Sequence, residues 1–184
     1  MFAVEMRNIS KYFGPLRAND RVNFHVQSGE IHALVGENGA GKTTLMNVLY
    51  GLYQPDDGGI FIRGKREIIN SPAKAISLGI GMVHQHFMLV PPFSVTENVI
   101  LGMEPAAKFG RLNLPQSESA VKHLAETYGI SIDPAARVDS LSVGMQQRVE
   151  ILKVLYRNAQ ILVLDEPTPV LTPQEIEEIG RAHV

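Results

Sequence analysis

The feature that most constrains this chain is its glycine-rich segment at residues 36–44, which reads Gly-Glu-Asn-Gly-Ala-Gly-Lys-Thr-Thr. It matches every fixed position of the phosphate-loop pattern G-x-x-x-x-G-K-[ST]. The apolar run at residues 31–35 predicts a buried strand before the loop, and residues 45–52 predict a helix after it. A helix that begins at such a loop offers backbone N–H groups and its positive dipole end to an anion. The segment therefore predicts a nucleoside triphosphate site.

The residue types within the loop suit this chemistry. Glycines at three positions let the backbone curve around phosphate oxygens without Cβ clashes. Lys42 would neutralise charge on the β- and γ-phosphates, and the Thr43 hydroxyl would ligate Mg²⁺. The alternative is a plain glycine turn between a strand and a helix, which the match at every fixed position disfavours. The predicted nucleotide-binding residues of the loop are Gly36, Asn38, Gly39, Ala40, Gly41, Lys42, Thr43 and Thr44.

Composition limits the class of protein. The 184 residues are 45% hydrophobic, which is enough for one substantial core and a small subdomain. A net charge of −2 gives no global basic field for nucleic acid, and the lack of cysteine excludes disulfides and thiolate metal sites. No apolar run approaches the roughly 18 residues of a membrane span. Any work at a membrane would therefore be that of a peripheral subunit.

Hydrophobic periodicity predicts a β-rich start, a helical middle and a final helix and strand. Besides residues 31–35, the predicted strands are residues 1–9, 21–26, 60–62, 81–84 and 161–164. The predicted helices are residues 72–78, with Ser71 as N-cap, and residues 95–101, 115–128 and 144–156. Glycines at residues 58–59 predict a turn over residues 56–59, and residues 63–65 predict another.

Two carboxylates follow the apolar run at residues 161–164. The C-terminal ends of parallel strands share one edge of a sheet, so Asp165 would hold the metal near Thr43. Glu166, one residue further, would act as general base toward an attacking water. A helix cap or a surface charge is the alternative for an isolated Asp-Glu pair. The phosphate loop in the same chain favours the catalytic interpretation.

A second anion-binding helix end is predicted at residues 141–148, which read Leu-Ser-Val-Gly-Met-Gln-Gln-Arg. A Ser followed by Gly at a helix N-terminus brings a hydroxyl, backbone N–H groups and the helix dipole to one point. The alternative is that Ser142 only caps the helix.

These motifs, in this order and with Gln85 after a strand, resemble the nucleotide-binding domain of an ABC transporter over residues 1–178. The resemblance implies an α/β fold: a P-loop NTPase (RecA-like) core with an antiparallel β-subdomain and an inserted α-helical subdomain. Core and β-subdomain would comprise residues 1–86 and 141–184, and the helical subdomain residues 87–140. The implied activity is ATP hydrolysis with Mg²⁺.

The resemblance also assigns roles to individual residues. Gln85 would contact the metal and the attacking water and couple the site to the membrane subunit. Phe13 is similar in position to the aromatic residue that stacks on adenine, with Tyr12 as a substitute and core packing as the alternative for both. The residues of the signature segment would contact a nucleotide bound to an opposite domain: Ser142, Gly144 and Gln146.

Four residues depart from the family pattern and put the strength of one composite site in question. Val143 and Met145 replace Gly and Gln in the signature, and Met145 lacks the amide that Gln would supply. Thr172 stands where the family has Asp, and Pro169 where a small residue is common. Three segments nevertheless resemble those of one branch of the family, the simple-sugar and nucleoside importers. They are residues 82–89 around Gln85, the signature at residues 141–148, and residues 168–172. The ATPase subunit of these importers carries two such domains, and this chain resembles the first.

The implied function is an ATP-hydrolysing subunit that powers import of a nucleoside or a simple sugar. Implied partners are transmembrane permease subunits, a second ABC domain in the natural full-length chain or in a dimer, and indirectly an extracytoplasmic substrate-binding protein, with no nucleic acid. The location would be peripheral, at the cytoplasmic face of the cell membrane. The alternative is a soluble ABC-type ATPase acting on ribosomes or DNA, but the long charged insertion or coiled coil of those relatives is missing.

A coupling segment is expected directly after Gln85, at residues 86–92, and it leads into the helical insertion. Four apolar residues would line a groove for a short permease helix, namely Phe87, Met88, Leu89 and Phe93. Methionine suits such an adaptable surface. The alternative is that these residues only pack the helical insertion onto the core.

The end of the chain suggests an incomplete domain. Residues 179–184 break the acidic helical pattern before them, and a stretch of a sequencing adapter can encode them. The family's switch histidine and the strand that holds it would lie beyond Val184. We therefore expect one ABC nucleotide-binding domain truncated at its C-terminus. For this truncated chain itself, the alternative to ATP hydrolysis is nucleotide binding without activity.

Overall fold

The structure is a computed structural model that describes residues 1–84, 87–105 and 112–165. Four residues of the predictions lie outside the described residues: Gln85, Glu166, Pro169 and Thr172. The chain forms two compact units, Met1–Ile80 and Gly81–Val184. The subdomain limits expected at residues 87 and 140 stay a prediction.

The first unit contains a four-stranded antiparallel sheet of order β2-β1-β3-β4. Its strands are β1 (Phe2–Phe13), β2 (Leu16–Gln27), β3 (Asp57–Ile62) and β4 (Lys65–Glu67). Val4, Met6 and Ile9 of β1 are buried, while most of β2 alternates between exposed and half-buried residues. The antiparallel pair predicted from alternation in residues 1–9 and 21–26 is therefore confirmed.

The glycines at residues 58–59, which predict a turn over residues 56–59, lie within a strand instead. Strand β3 begins at Asp57 and runs through both glycines. Gly58 has φ 99°, and a Cβ there would lie 2.5 Å from the carbonyl oxygens of Arg7 and Asn8. The β1–β3 register is irregular between Arg7 and Ser10. Gly58 thus allows two strands to approach at a bulge, a common use of glycine within strands. The turn predicted at residues 63–65 does form.

The strand predicted at residues 31–35 was wrong. The segment is extended but belongs to no strand, and Ile31 and Val35 are 60% and 89% exposed. A buried strand needs a hydrogen-bonded neighbour and packing on both faces. No strand of the described residues pairs with this segment.

Two helices complete the first unit, α1 (Lys42–Leu49) and α2 (Pro72–Ser77). Helix α1 buries Leu45, Val48 and Leu49, and it ends at Leu49, three residues before the end of the helix predicted over residues 45–52. Helix α2 begins as expected, because the Ser71 hydroxyl accepts a hydrogen bond from the Lys74 backbone N–H.

Apart from Ile80, the residues of a two-stranded sheet lie in the second unit; its strands are β5 (Ile80–Val83) and β6 (Ile161–Leu164). The helices of the second unit are α3 (Val95–Ile100), α4 (Leu114–Thr127) and α5 (Val143–Tyr156), with a 3₁₀ turn at Val138–Ser140. All three helices and both strands agree with the predictions within two residues. The core of this unit is formed chiefly by α3, α4 and α5. No helix of the described residues is both long and apolar enough to cross a membrane.

Candidate functional site

The phosphate loop leads into helix α1 through a left-handed residue. Gly41 is the N-cap of α1 with φ 87° and ψ 9°, and no side chain of the described residues caps this helix end. The loop itself is exposed at Gly36, Asn38, Gly39 and Ala40. An exposed helix N-terminus that no side chain caps directs its backbone N–H groups toward a ligand. The local geometry therefore suits an anion.

Strand β2 supports the base of this loop. The Asn19 amide donates a hydrogen bond of 3.2 Å to the Gly41 carbonyl oxygen, and Asn19 is only 5% exposed. A Cβ on Gly41 would lie 2.3 Å from the Ala18 carbonyl oxygen. Asn19 was not predicted from the sequence, because it lies outside the strand predicted at residues 21–26 and its contact with Gly41 depends on tertiary structure. Asn19 Oδ1 is buried without a hydrogen bond among the described residues.

Lys42 folds back over the loop that precedes it. Its Nζ donates hydrogen bonds to the carbonyl oxygens of Gly36 at 2.8 Å and Glu37 at 2.9 Å. The Ala40 backbone N–H donates to the same Glu37 oxygen. The ammonium is thus held against the loop, and Thr43 and Thr44 follow in the first turn of α1.

The aromatic residues predicted for adenine lie at the surface. Phe13 and Tyr12 are 40% and 39% exposed, which disagrees with core packing. The Phe13 ring makes an edge contact with Tyr53, with ring centroids 5.2 Å apart, and Tyr53 was missed because its proximity depends on tertiary structure. Asp56 accepts a hydrogen bond from the Tyr12 backbone N–H and contacts the Lys11 ammonium. Both interactions hold the pKa of the Asp56 carboxyl below its ordinary value.

The signature segment forms the start of helix α5. Ser142 is exposed and caps the helix by accepting from the Met145 backbone N–H at 3.4 Å. The Gln146 amide donates to the carbonyl oxygens of Val138 and Leu141, so it ties α5 to the preceding 3₁₀ turn. Val143, one of the departures, is 57% exposed, and Gly144 is half-buried.

Asp165 directly follows β6, and its backbone N–H donates to the Val83 carbonyl oxygen at 3.1 Å. The carboxylate is therefore at the end of the strand pair of the second unit, as the sequence predicts. In the part of the chain that the structure describes, no group of three or more His, Asp or Glu side chains is placed to hold a metal ion. The assignments of Thr43, Gln85 and Asp165 to Mg²⁺ stay predictions.

The coupling segment, together with Phe93 directly after it, has both exposed and packed residues. Met88 and Phe93 are 63% and 37% exposed. Leu89 instead packs against the core of the second unit, and Phe87 is half-buried. Leu89 thus fits the packing alternative, whereas Met88 and Phe93 present apolar surface.

Curated relatives share this sequence over nearly its whole length. The chain is 59% identical over 178 residues to the guanosine import ATP-binding protein NupO of Bacillus subtilis, covering 97% of this chain and 35% of that protein. It is 56% identical to the nucleoside import ATP-binding protein NupA of Lactococcus lactis, covering 96% and 35%. It is 45% identical to the ribose import ATP-binding protein RbsA of Chromobacterium violaceum, again covering 96% and 35%. The chain spans about a third of the length of these relatives.

Solved structures share the fold. The ADP conformation of MJ1267, an ATP-binding cassette of an ABC transporter, matches with a TM-score of 0.80 at 28% identity, covering 100% of this chain and 76% of that one. A dimeric post-hydrolysis state of the cassette MJ0796, bound to ADP and phosphate, matches with a TM-score of 0.74 at 26% identity, covering 97% and 80%. The predicted α/β P-loop NTPase fold is therefore confirmed. A sequence model of the family matches residues 19–169, and the chain belongs to the ABC transporter family.

Proposed function

We propose that this chain is the ATP-binding and ATP-hydrolysing part of a subunit that powers nucleoside import. The observation that carries the proposal is the loop geometry, in which a left-handed Gly41 opens α1 and Lys42 lies over the loop. Relatives named for guanosine and nucleoside import share 59% and 56% identity, against 45% for one named for ribose import. This order favours a nucleoside over a simple sugar. A ribosome- or DNA-directed ATPase gains no support from these relatives.

Binding would use the loop and the exposed aromatic. The Lys42 ammonium would exchange its two carbonyl partners for phosphate oxygens, and the N–H groups at the start of α1 would donate to the same phosphates. The Phe13 ring, exposed and held at its edge by Tyr53, would stack on adenine. Loop residues Asn38, Gly39 and Ala40 would surround the phosphates.

The hydrolytic step would rest on side chains from the first turn of α1 and from the residues that follow β5 and β6 in the sequence. The Thr43 hydroxyl and the Asp165 carboxylate, with the Gln85 amide oxygen, are hard oxygen donors of the kind that Mg²⁺ prefers. The metal, when bound, would neutralise charge on the β- and γ-phosphates. Glu166 would take the proton of the attacking water, and Gln85 would orient that water.

The partners belong to the proposal as well. Ser142, Gly144 and Gln146 would contact a nucleotide held by a second ABC domain, in the same longer protein or in a dimer. Permease subunits would bind this chain at the cytoplasmic face of the cell membrane, and an extracytoplasmic binding protein would deliver substrate to them. Mg²⁺, these partners and the location are supported by family membership alone.

Replacement of the proposed base tests hydrolysis separately from binding. Glu166→Gln keeps size and hydrogen bonding but removes the basic carboxylate, so we expect ATP affinity within about twofold and turnover lower by about a hundredfold or more. The measurement is phosphate release beside equilibrium ATP binding, in the full-length subunit. Glu126→Gln on the exposed face of α4 is the matched control. Wild-type turnover in Glu166→Gln would assign the base role to another group.

Docking to the permease is tested at Met88. A charge on this exposed side chain should weaken an apolar contact with the permease, so Met88→Glu should reduce transport by about tenfold and leave basal ATPase activity within about twofold. Ile68→Glu is the control, because Ile68 is also a large exposed apolar residue (76%) but lies in the other unit. Leu89 is unsuitable for this test, since it packs against the core. Normal transport by Met88→Glu would argue against docking at this position.

A further inference from the structure

Both backbone polar groups of one residue in the coupling segment, Met88, are held by charged side chains of α5. The Glu150 carboxylate accepts a hydrogen bond of 2.6 Å from the Met88 backbone N–H. The Lys153 ammonium donates one of 2.9 Å to the Met88 carbonyl oxygen. Glu150 and Lys153 are one helical turn apart, with Nζ and Oε2 separated by 3.8 Å. We name this arrangement the Met88 clamp.

The two charges of the clamp are buried in an otherwise apolar part of α5. The side chains of Glu150 and Lys153 are only 6% and 11% exposed, and they alternate with fully buried Val149, Ile151 and Leu152. Burial lowers the pKa of the Lys153 ammonium, and the Glu150 carboxylate opposes that shift. Burying an ion pair costs desolvation energy that an apolar pair of similar volume avoids. The pair therefore fixes the position of the Met88 backbone N–H and C=O groups more than it stabilises the fold.

A third side chain holds the same segment two residues further on. Asn98, fully buried in α3, accepts a hydrogen bond from the Val90 backbone N–H at 2.7 Å and donates to the Val90 carbonyl oxygen at 3.1 Å. The backbone at Met88 and Val90 is thus fastened to α5 and α3 by side chains. The Met88 side chain meanwhile remains 63% exposed. Backbone fixation combined with an outward side chain suits a surface that passes on movement.

The helix that carries the clamp also carries the signature. Ser142 caps α5, and Glu150 lies eight residues later on the same 14-residue helix, about 12 Å along its axis. We propose that Glu150 and Lys153 are positioning residues that fix the coupling segment to the signature helix. A permease contact at Met88 would then influence a nucleotide contact at Ser142, and the nucleotide contact would influence the permease contact. This inference rests on the proposed function, because it assumes that these two ends meet the permease and a nucleotide.

The sharpest test replaces both charges by apolar residues of similar volume. Glu150→Leu combined with Lys153→Met removes the clamp without leaving an unpaired buried charge, so the fold should persist. In the full-length subunit assembled with its permease, we expect unchanged ATP affinity and basal ATPase activity. Stimulation of the ATPase by the permease should fall about tenfold, and amide hydrogen exchange at Met88 should accelerate by a similar factor. Wild-type exchange at Met88 or wild-type stimulation would overturn the inference.

Two further variants separate the clamp from general effects of charge. The charge-swapped pair, Glu150→Lys with Lys153→Glu, keeps an ion pair but offers an ammonium to an N–H and a carboxylate to a carbonyl. This variant should lose stimulation of the ATPase by the permease, as the apolar pair does. Wild-type stimulation would mean that the ion pair is sufficient and that the hydrogen bonds to Met88 are not required. Lys122→Met on the exposed face of α4 is the control for loss of a lysine. If the wild-type subunit does not bind ATP, the proposed function fails, while exchange at Met88 still decides whether the clamp exists.

Discussion

A Lys42→Ala variant should bind ATP at least about a hundredfold more weakly than the wild type, the largest loss that we expect from one side chain. Each hydrogen bond from an ammonium to a charged phosphate is worth about 1.5–3 kcal/mol, and about 1.4 kcal/mol corresponds to a factor of ten. Lys42 Nζ already lies between two loop carbonyls, so the wild type only exchanges those partners for phosphate oxygens. Alanine leaves both the loop carbonyls and the phosphates without this cation.

The measurement is equilibrium binding of ATP to the full-length subunit, with thermal unfolding recorded beside it. Lys65→Ala is the matched control, because Lys65 lies on β4 in the same unit and its side chain is 79% exposed. Both variants should unfold near the wild-type temperature, since neither lysine side chain forms part of the core. ATP affinity within threefold of wild type in Lys42→Ala would contradict the assignment of the phosphate loop.

Local patterns predicted those parts of the fold that depend on neighbours in sequence. The strand pair β1–β2 follows from alternation, and α2 begins at Ser71 because a hydroxyl there meets an amide three residues later. Helix α5 begins one residue from the predicted start, with Ser142 as its cap. The exposed, glycine-rich loop before α1 was likewise expected from the motif alone. Each of these features is decided within a few residues of the chain.

Features that depend on distant neighbours were missed or misjudged. The apolar run at residues 31–35 contains enough β-branched and aliphatic residues for a strand, but strand formation also requires a partner, which local pattern does not reveal. The glycines at residues 58–59 appeared to mark a turn because the bulge in β1 lies about fifty residues earlier. Asn19 and Tyr53 were missed for the same reason. Glu150 and Lys153 were detectable, since two charges interrupt an apolar helical stretch.

The second large effect is expected at Gly41, where the loop rests on β2. Gly41→Ala places a Cβ 2.3 Å from the Ala18 carbonyl oxygen and 2.8 Å from Asn19 Nδ2, at a residue with φ 87°. Real Cβ atoms do not approach a backbone oxygen so closely, and an L-residue at positive φ is itself strained. The start of α1 must therefore move away from β2 or leave the left-handed conformation. Overpacking and backbone strain together should lower the free energy of unfolding by about 2–5 kcal/mol.

Gly39→Ala provides the matched comparison, because Gly39 has a similar φ of 82° but a Cβ there would meet no atom within 4 Å. Only the conformational strain remains, so Gly39→Ala should lower the free energy of unfolding by about 1–2 kcal/mol. Urea unfolding followed by circular dichroism measures both variants, and ATP binding shows whether the displaced helix end still reaches the phosphates. Equal destabilisation by the two substitutions would mean that strain at positive φ accounts for the whole effect. The contact of the loop with Ala18 and Asn19 would then not be required for folding.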